Sequence, residues 1–354
     1  MSSSRLFRWC ARLAVLGVAL PAALLAIAYR TEPLGSWWLE LLQYVPYPGF
    51  LLPALLAFAL SWTLGRAWRA VAAGALLLVL TIIMGFVFGR ADTGTVPLRL
   101  MTYNIKAYRA DTQPALADAL LREIEQRRPD LLVMQDAGAL SHSHAVANDL
   151  APAAESLFAG RHVYAHDQYI VVSRHPLRDC HAGDLSFRGQ PHVYVRCTVL
   201  VDGTEVDLVT AHLLSPRSGL NATRREGADG IDDWQRNFDD RLAQSRKLAA
   251  DIGLPRRRPL ILAGDLNAPE TSPVIRTLLA QGLRDAFSSA GRGYGYTHGH
   301  ALRLGISFLR IDHILVSPQI GVADAFAGGS DGSEHRPVIA DLLLKRGLAA
   351  NDGR

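Results

Sequence analysis

The sequence is 354 residues long and carries 37 basic and 33 acidic residues, a weakly basic balance that can accompany nucleic-acid binding. Seven of the basic and three of the acidic residues lie in residues 1–96, which leaves 30 of each in the remainder. The remainder is therefore neutral, and composition gives no support to a nucleic-acid-binding function.

Three uncharged stretches follow one another near the start of the chain. They are Leu13–Tyr29, Leu41–Gly65 and Ala70–Gly89, and each is bracketed by charged residues. Their lengths match the roughly 17–25 residues that cross a bilayer as a helix. We predict a membrane region over residues 1–96, with three transmembrane helices at about 13–29, 43–64 and 70–89. For the first stretch a cleaved signal peptide is the alternative, because Ala26–Ala28 resembles a cleavage site.

Basic residues predict how these helices are oriented. Arg5, Arg8 and Arg12 precede the first stretch, and Arg66 and Arg69 fill the link between the second and third. Because cytoplasmic segments are enriched in Lys and Arg, the N-terminus and this link are placed in the cytoplasm. We therefore expect a multi-pass inner-membrane protein whose large domain lies on the periplasmic or extracellular side.

Residues 97–347 are predicted to form one domain of roughly 250 residues, large enough for a substantial core. Strand and helix patterns alternate along it, which favours an α/β sandwich, and residues 348–354 are expected to be a flexible tail. Cys180 and Cys197 are the only cysteines of the domain. In an oxidising compartment they are predicted to form a disulfide, with two buried free cysteines as the alternative.

An apolar run that follows Pro259 ends at Gly264 and is predicted to be a buried strand. Asp265 and Asn267 come next, two residues apart, so they project from the same side of an extended backbone. A carboxylate there can orient or deprotonate a water, and an amide can donate to a developing negative charge. The alternative is that both residues only cap a following helix.

Polar residues stand at the ends of several other predicted strands. Any one of them is explained as a cap or a turn residue, but six such groups at the same kind of position predict an active site. The groups are Asn104, Gln135–Asp136, His212, Asp265 with Asn267, Asp312–His313 and Glu334–His335.

Together with their neighbours these residues resemble the motifs of the endonuclease/exonuclease/phosphatase superfamily, in the same order and over nearly all of residues 98–345. The stretches that carry the resemblance are Thr102–Ile105, Met134–Asp136, Thr210–Leu213, Gly264–Asn267, Arg310–His313 and Ser333–Pro337. The resemblance implies a four-layer α/β sandwich, with two central sheets flanked by helices. It also implies phosphoester cleavage with a divalent cation, Mg²⁺ or Mn²⁺.

The resemblance assigns a role to each motif residue. Asn104 and Asp136 resemble metal ligands, and Glu334 is expected to flank the same ion. Asp265 resembles the residue that positions or activates water, and Asn267 the one that steadies the phosphoryl oxygens. His335 resembles the active-site histidine, Asp312 the carboxylate that orients it, and His212 a second histidine that contacts the phosphate or the leaving group.

Two positions depart from the family pattern. Asp136 stands where the family has glutamate, and Glu334 stands where it has aspartate. One side chain is shorter and the other longer, so we expect the metal to lie nearer Glu334. The alternative is a catalytically inactive domain.

The tether Arg90–Pro97 spans at most ~28 Å when fully extended, so the domain stays near the bilayer. The sequence thus favours a hydrolase acting on a lipid-linked phosphate or pyrophosphate, or on a phospholipid headgroup, with the lipid bilayer as its partner. An extracytoplasmic nuclease and an inactive membrane-tethered binding module remain alternatives, nucleic acid being the less favoured substrate. No obligate protein partner is inferred.

Overall fold

The structure is a computed structural model, and it describes residues 3–31, 36–94, 96–110, 114–142 and 150–344. The predicted tail, residues 348–354, lies outside the described residues. The chain divides into two compact units, Met1–Val87 with Thr271–Pro273, and Phe88–Glu270 with Val274–Arg354.

The first unit is helical. Its elements are α1 (Ser3–Thr31), α2 (Trp37–Leu42), α3 (Pro48–Ser61) and α4 (Arg66–Leu78), which continues as a π-helical segment (Val79–Ile83). Val15 of α1, Ala57 of α3 and Ala72 of α4 form one buried cluster. The two alanines allow close approach of the helix backbones, as small residues do between membrane helices.

Among the described residues of this unit, two helices and not three are long and apolar enough to cross a membrane: Arg5–Thr31 and Arg66–Ile83. Length and composition alone identify them, and an N-terminal signal sequence also meets these criteria. The second predicted span is only the 14-residue α3, about 21 Å long, whereas the hydrocarbon core is ~30 Å thick. The prediction of three long spans was wrong because the uncharged stretch holds Pro46 and Pro48 and is not one helix. Proline lacks a main-chain N–H and is best placed in the first turn of a helix, and α3 begins at Pro48.

Two six-stranded sheets form the centre of the second unit. The first has the order β13 (Ile320–Ala327), β14 (Val338–Leu344), β2 (Val96–Asn104), β3 (Leu131–Gln135), β5 (Tyr169–Ser173), β4 (His162–His166). The second has the order β10 (Arg284–Asp285), β12 (Asp312–Val316), β9 (Leu260–Asp265), β8 (Thr204–Ala211), β7 (Val193–Val201), β6 (Leu177–Asp184). Each sheet has one parallel pair, β2 with β3 and β8 with β9, and its other pairs are antiparallel.

The remaining elements are helices and short strands. They are β1 (Val87–Phe88), α5 (Ala107–Ala110), α6 (Pro114–Arg127), a 3₁₀ turn (Gly138–Leu140), α7 (Pro152–Leu157), α8 (Arg217–Glu226), α9 (Ile231–Ile252), α10 (Pro273–Leu279), α11 (Ala286–Ala290) and β11 (Arg292–Gly293). The longest of these, α9, buries residues that follow one another at intervals of three or four, as on one face of a helix: Trp234, Phe238, Leu242, Ser245, Ala249 and Ile252. Two six-stranded sheets with flanking helices confirm the predicted mixed α/β sandwich.

Cys180 of β6 and Cys197 of β7 form a disulfide, with their Cα atoms 4.1 Å apart. The bridge joins the edge strand of the second sheet to its neighbour. The predicted pairing of these two cysteines is confirmed.

The two sheets bring their strand ends together. Strand β2 lies against β9, so Asn104 and Asp265, the last residues of these strands, meet. Gly264, the residue before Asp265, lets the end of β8 lie close to β9, since a Cβ atom at this position would lie 2.0 Å from the carbonyl oxygen of Ala211 on β8.

Candidate active site

Asp265 lies at the centre of the polar cluster and is almost fully buried. Its Oδ2 accepts a hydrogen bond from Nδ2 of Asn104 at 2.9 Å and lies 3.4 Å from Nε2 of His212 and 3.7 Å from Nε2 of His335. Its Oδ1 accepts from the main-chain N–H of Asn267 at 3.0 Å. Four residues that the sequence analysis selected, from four separate motifs, thus contact one carboxylate.

The electrostatics of the cluster keep this carboxylate ionised. Burial would raise the pKa of Asp265, but the charges of His335, His212 and Lys106 and the hydrogen bond from Asn104 outweigh burial and lower it. An ionised carboxylate next to two imidazoles can orient a water and accept its proton.

His335 and Asp312 form a second buried pair. Nδ1 of His335 lies 3.0 Å from Oδ2 and 3.2 Å from Oδ1 of Asp312, so this nitrogen donates to the carboxylate and Nε2 is directed at Asp265. Burial would lower the pKa of His335, but Asp312 and Asp265 outweigh it and raise the pKa. The arrangement favours an imidazolium at this position.

His212 is held by Gln168 and Tyr169, which the sequence analysis did not select, and lies near Asp136, which it did. Its Nδ1 lies 2.5 Å from Oε1 of Gln168 and 3.6 Å from Oδ1 of Asp136. Its main-chain N–H donates to the hydroxyl of Tyr169 at 2.8 Å, and that hydroxyl donates to the carbonyl of Val193 at 2.8 Å. Gln168 thereby fixes Nδ1 as a donor and leaves Nε2 facing Asp265.

Asn267 is fixed by its main chain and its side chain. Its Nδ2 donates to the carbonyl oxygen of Leu213 at 2.8 Å, and its own carbonyl accepts from Nη1 of Arg241 at 3.1 Å. Arg241 is fully buried, and its guanidinium stacks over Trp234 at 5.3 Å. The main chain and the side chain of Asn267 are therefore held in place, and its contact with a phosphoryl oxygen stays a prediction.

The three residues expected to hold a metal have basic partners. Asp136 forms an ion pair with Lys106, and Oδ1 of Asn104 accepts from the main-chain N–H of Lys106 at 3.3 Å. Glu334 is paired with Nη1 of Arg109 at 2.8 Å and with Nη2 of Arg217 at 3.2 Å.

These partners set the charge on both carboxylates. Burial would raise the pKa of Asp136 and of Glu334, but His212 and Lys106 at the first, and Arg217 and Arg109 at the second, lower it. Both carboxylates are ionised, and carboxylate and amide oxygens are the donors that Mg²⁺ and Mn²⁺ prefer. The chemistry of these donors therefore fits a hard divalent cation. The carboxylates and histidine whose ligand atoms are found within 4.8 Å of one another among the described residues are a different set, Asp265, Asp312 and His335.

His298 is a further member of the site that sequence reasoning missed. Its ring lies 4.6 Å from that of His335, and its Nδ1 lies 3.2 Å from the carbonyl oxygen of Glu334. Burial and the neighbouring charge of His335 lower the pKa of His298 to about 4. A neutral imidazole thus contacts, at a tilt of 39°, the imidazole that is expected to be charged. Tyr296-Thr297-His298 has no pattern that marks such a contact.

Comparison with known proteins gives a family by sequence and similar folds by structure. A sequence model of the Endonuclease/Exonuclease/phosphatase family matches residues 101–335. No curated protein matches the chain.

Solved structures with similar folds include a mannosyl-6-phosphatase from Bacteroides thetaiotaomicron, 15% identical over 70% of this chain and 100% of that one, with a TM-score of 0.51. D. rerio TDP2, complexed with a single-strand DNA product, is 15% identical over 71% of this chain and 100% of that one, with a TM-score of 0.52. An endonuclease/exonuclease/phosphatase family protein from Leptotrichia buccalis is 16% identical over 70% and 100%, with a TM-score of 0.52. At these identities the likeness is one of fold.

Proposed function

Because this chain belongs to the Endonuclease/Exonuclease/phosphatase family, whose members hydrolyse phosphoester bonds and generally depend on a divalent metal, we propose that it is a metal-dependent phosphoester hydrolase. The observation that carries the proposal is the buried, ionised carboxylate of Asp265 in contact with Asn104, His212 and His335. A cluster of this kind is costly to bury and has no evident structural use, whereas hydrolysis needs a fixed base and fixed donors.

Each residue contributes through its position. Asp265 orients the attacking water and takes its proton. His335, held by Asp312, presents a charged donor to the phosphoryl oxygens, and Asn267 steadies the same group. His212, whose Nδ1 is fixed by Gln168, faces the phosphate or the leaving group with Nε2. Asn104, Asp136 and Glu334 would hold the metal, which when bound offsets charge on the phosphate.

The proposed location is an inner membrane, with the second unit on the non-cytoplasmic side. The disulfide between Cys180 and Cys197 supports this location, because disulfides persist in oxidising compartments. From a cytoplasmic N-terminus, two crossings would return the domain to the cytoplasm. The proposal therefore requires an odd number of crossings, with α3 as the short additional one. A periplasm-dependent reporter fused after Leu344 should be active, and activity only of a cytoplasm-dependent reporter would overturn the location.

The proposed substrate is a lipid-linked phosphate or pyrophosphate, or a phospholipid headgroup. Tethering raises the effective concentration of membrane substrates and gives nothing to soluble ones. The neutral charge of residues 97–354 also lacks the basic excess that helps proteins bind nucleic acid.

Turnover by the full-length protein in mixed micelles tests the substrate class. Lipid phosphates should be hydrolysed faster than DNA and soluble sugar phosphates in the presence of Mg²⁺ or Mn²⁺. A clear preference for DNA would replace this proposal with the nuclease alternative. If the wild type hydrolysed every substrate no faster than Asp265→Ala does, the result would support the alternative of an inactive binding module.

A further inference from the structure

Lys106 adopts a backbone conformation that turns its side chain back into the site. Its φ is +47°, in the left-handed region that residues with a Cβ atom disfavour, and its partner Asp136 has a φ of +50°. The main-chain N–H of Lys106 is directed at Oδ1 of Asn104, 3.3 Å away. Both members of the ion pair thus sit on unusual backbone at the ends of neighbouring strands, as is typical of functional sites.

The ammonium is enclosed among the carboxylates rather than directed at solvent. The Lys106 side chain is 15% exposed and that of Asp136 is 23% exposed, and Nζ is bound to Oδ2 of Asp136. The charge of Lys106 also acts on Asp265 and on Glu334. The positive charge of Lys106 thus interacts with the same carboxylates whose negative charge a bound metal ion would offset.

Glu334 differs from Asp136 in how its partners are held. Arg109 and Arg217, which pair with Glu334, have side chains that are 34% and 56% exposed. These long side chains can turn into solvent with little loss, because ion pairs with exposed partners are weak. The side chain of Lys106 is less exposed than those of the two arginines and cannot leave as easily. Its contact with Asp136 is therefore the one that a metal ion must break.

We propose that the Lys106 ammonium occupies the cation position of this site and that a divalent ion binds there only by displacing it. An ammonium has three donors and no acceptor, so it takes the carboxylate lone pairs that a metal ion needs. Metal binding is then an exchange of one cation for another, and its affinity is lower than the carboxylates alone would give. The inference rests on the proposed metal dependence.

Mn²⁺ binding to the full-length protein, measured by titration calorimetry without substrate, tests this. Lys106→Met should lower the Kd for Mn²⁺ at least tenfold, because Asp136 is left without its resident cation. Lys247→Met is the matched control, since Lys247 forms a similar ion pair with Asp184 outside the site.

An unchanged or weaker Mn²⁺ affinity in Lys106→Met would overturn the exchange. An equal gain in Lys247→Met would also overturn it, because loss of any positive charge would then suffice. Failure of Mn²⁺ to bind to both the wild type and Lys106→Met would overturn the metal dependence itself.

A second measurement uses the wild type and so does not depend on how a variant folds. Acylation of lysines by an amine-reactive reagent is followed by mass spectrometry, with and without Mn²⁺. Labelling of Lys106 should increase at least severalfold when Mn²⁺ displaces it, while labelling of Lys247 stays constant. Labelling of Lys106 that Mn²⁺ leaves unchanged or lowers would contradict the proposal.

Discussion

Nδ1 of His335 lies 3.0 Å from Oδ2 of Asp312, and both side chains are buried beneath Asp265 and its partners. Because of this pair, Nδ1 of His335 donates its hydrogen to Asp312, and Nε2 faces Asp265 and the site. It also keeps a positive charge beside the carboxylate that is proposed to act on water.

Asp312→Asn should move the pH dependence of the rate. Burial lowers the pKa of His335, and the Asp312 charge is the largest influence that raises it again. Without this charge His335 loses its proton at a lower pH, so the alkaline limb of the pH–rate profile should shift to lower pH. The measurement is kcat/KM as a function of pH for the wild type and for Asp312→Asn. An alkaline limb at the same pH in both would show that Asp312 does not act through His335.

Asp265→Ala and His335→Ala should each lower kcat by about three orders of magnitude or more, and the double variant should lose little beyond that, because catalytic groups act as a unit. Hydrolysis of a simple phosphoester with Mg²⁺ measures this. Arg188→Ala, which breaks an exposed ion pair with Asp240, serves as the control and should keep its rate. Retained activity in Asp265→Ala, or full wild-type activity in excess chelator, would contradict the proposed roles.

Asp136 and Glu334 should compensate for each other when their lengths are exchanged. Asp136→Glu alone is expected to crowd the site and lower the rate. The double change Asp136→Glu with Glu334→Asp restores the summed side-chain length and should recover activity. A double-mutant cycle on the rate measures the coupling, and purely additive losses would show that the two carboxylates do not share an ion.

Removal of the disulfide should cost about 3 kcal/mol of unfolding free energy, since it closes a loop with a sequence separation of 17. The comparison is denaturant unfolding of the wild type against Cys180→Ala with Cys197→Ala, each with and without reductant. Reductant should destabilise the wild type and leave the double variant unchanged. Equal sensitivity of both would mean that the bridge contributes nothing to stability.

His298 should make the protein less stable in mild acid. Its pKa is about 4 in the folded state, against 6.5 for an ordinary histidine. Because the unfolded chain takes up the proton first, stability is fully present above pH 6.5 and is lost as the pH falls toward 4, by up to about 3 kcal/mol.

Unfolding at pH 7.5, 6 and 5 measures the acid effect. His298→Gln should reduce the acid loss, whereas His181→Gln on the exposed edge strand should not. The same acid loss in His298→Gln and in the wild type would contradict this account.

The sequence alone identified the mixed α/β domain, the strand ends that carry polar groups and the pairing of the two cysteines. These features depend on local patterns. Asp265 is recognisable because an apolar strand must end at a glycine before it, and Asn104 because a strand ends there. Such patterns can be recognised without knowledge of the fold, because the burial of a strand selects apolar residues at positions that are neighbours in the chain.

Tertiary structure decided what lies beside these residues. Arg217 reaches Glu334 across 117 positions and Arg109 across 225, and Gln168 reaches His212 across 44. Nothing in the local sequence of Arg217 or Gln168 encodes the distant partner, because an ion pair or hydrogen bond between separate elements exists only once the sheets have packed.

The number of long apolar helices among the described residues depended on a different detail. Composition predicted three, but the second uncharged stretch holds Pro46 and Pro48, and its helix α3 begins only at Pro48. The motif residues at the strand ends were thus readable from the chain, whereas His298, Gln168 and the basic partners of the carboxylates were not. Their contacts exist only in the packed structure, because they join residues that are far apart in the sequence.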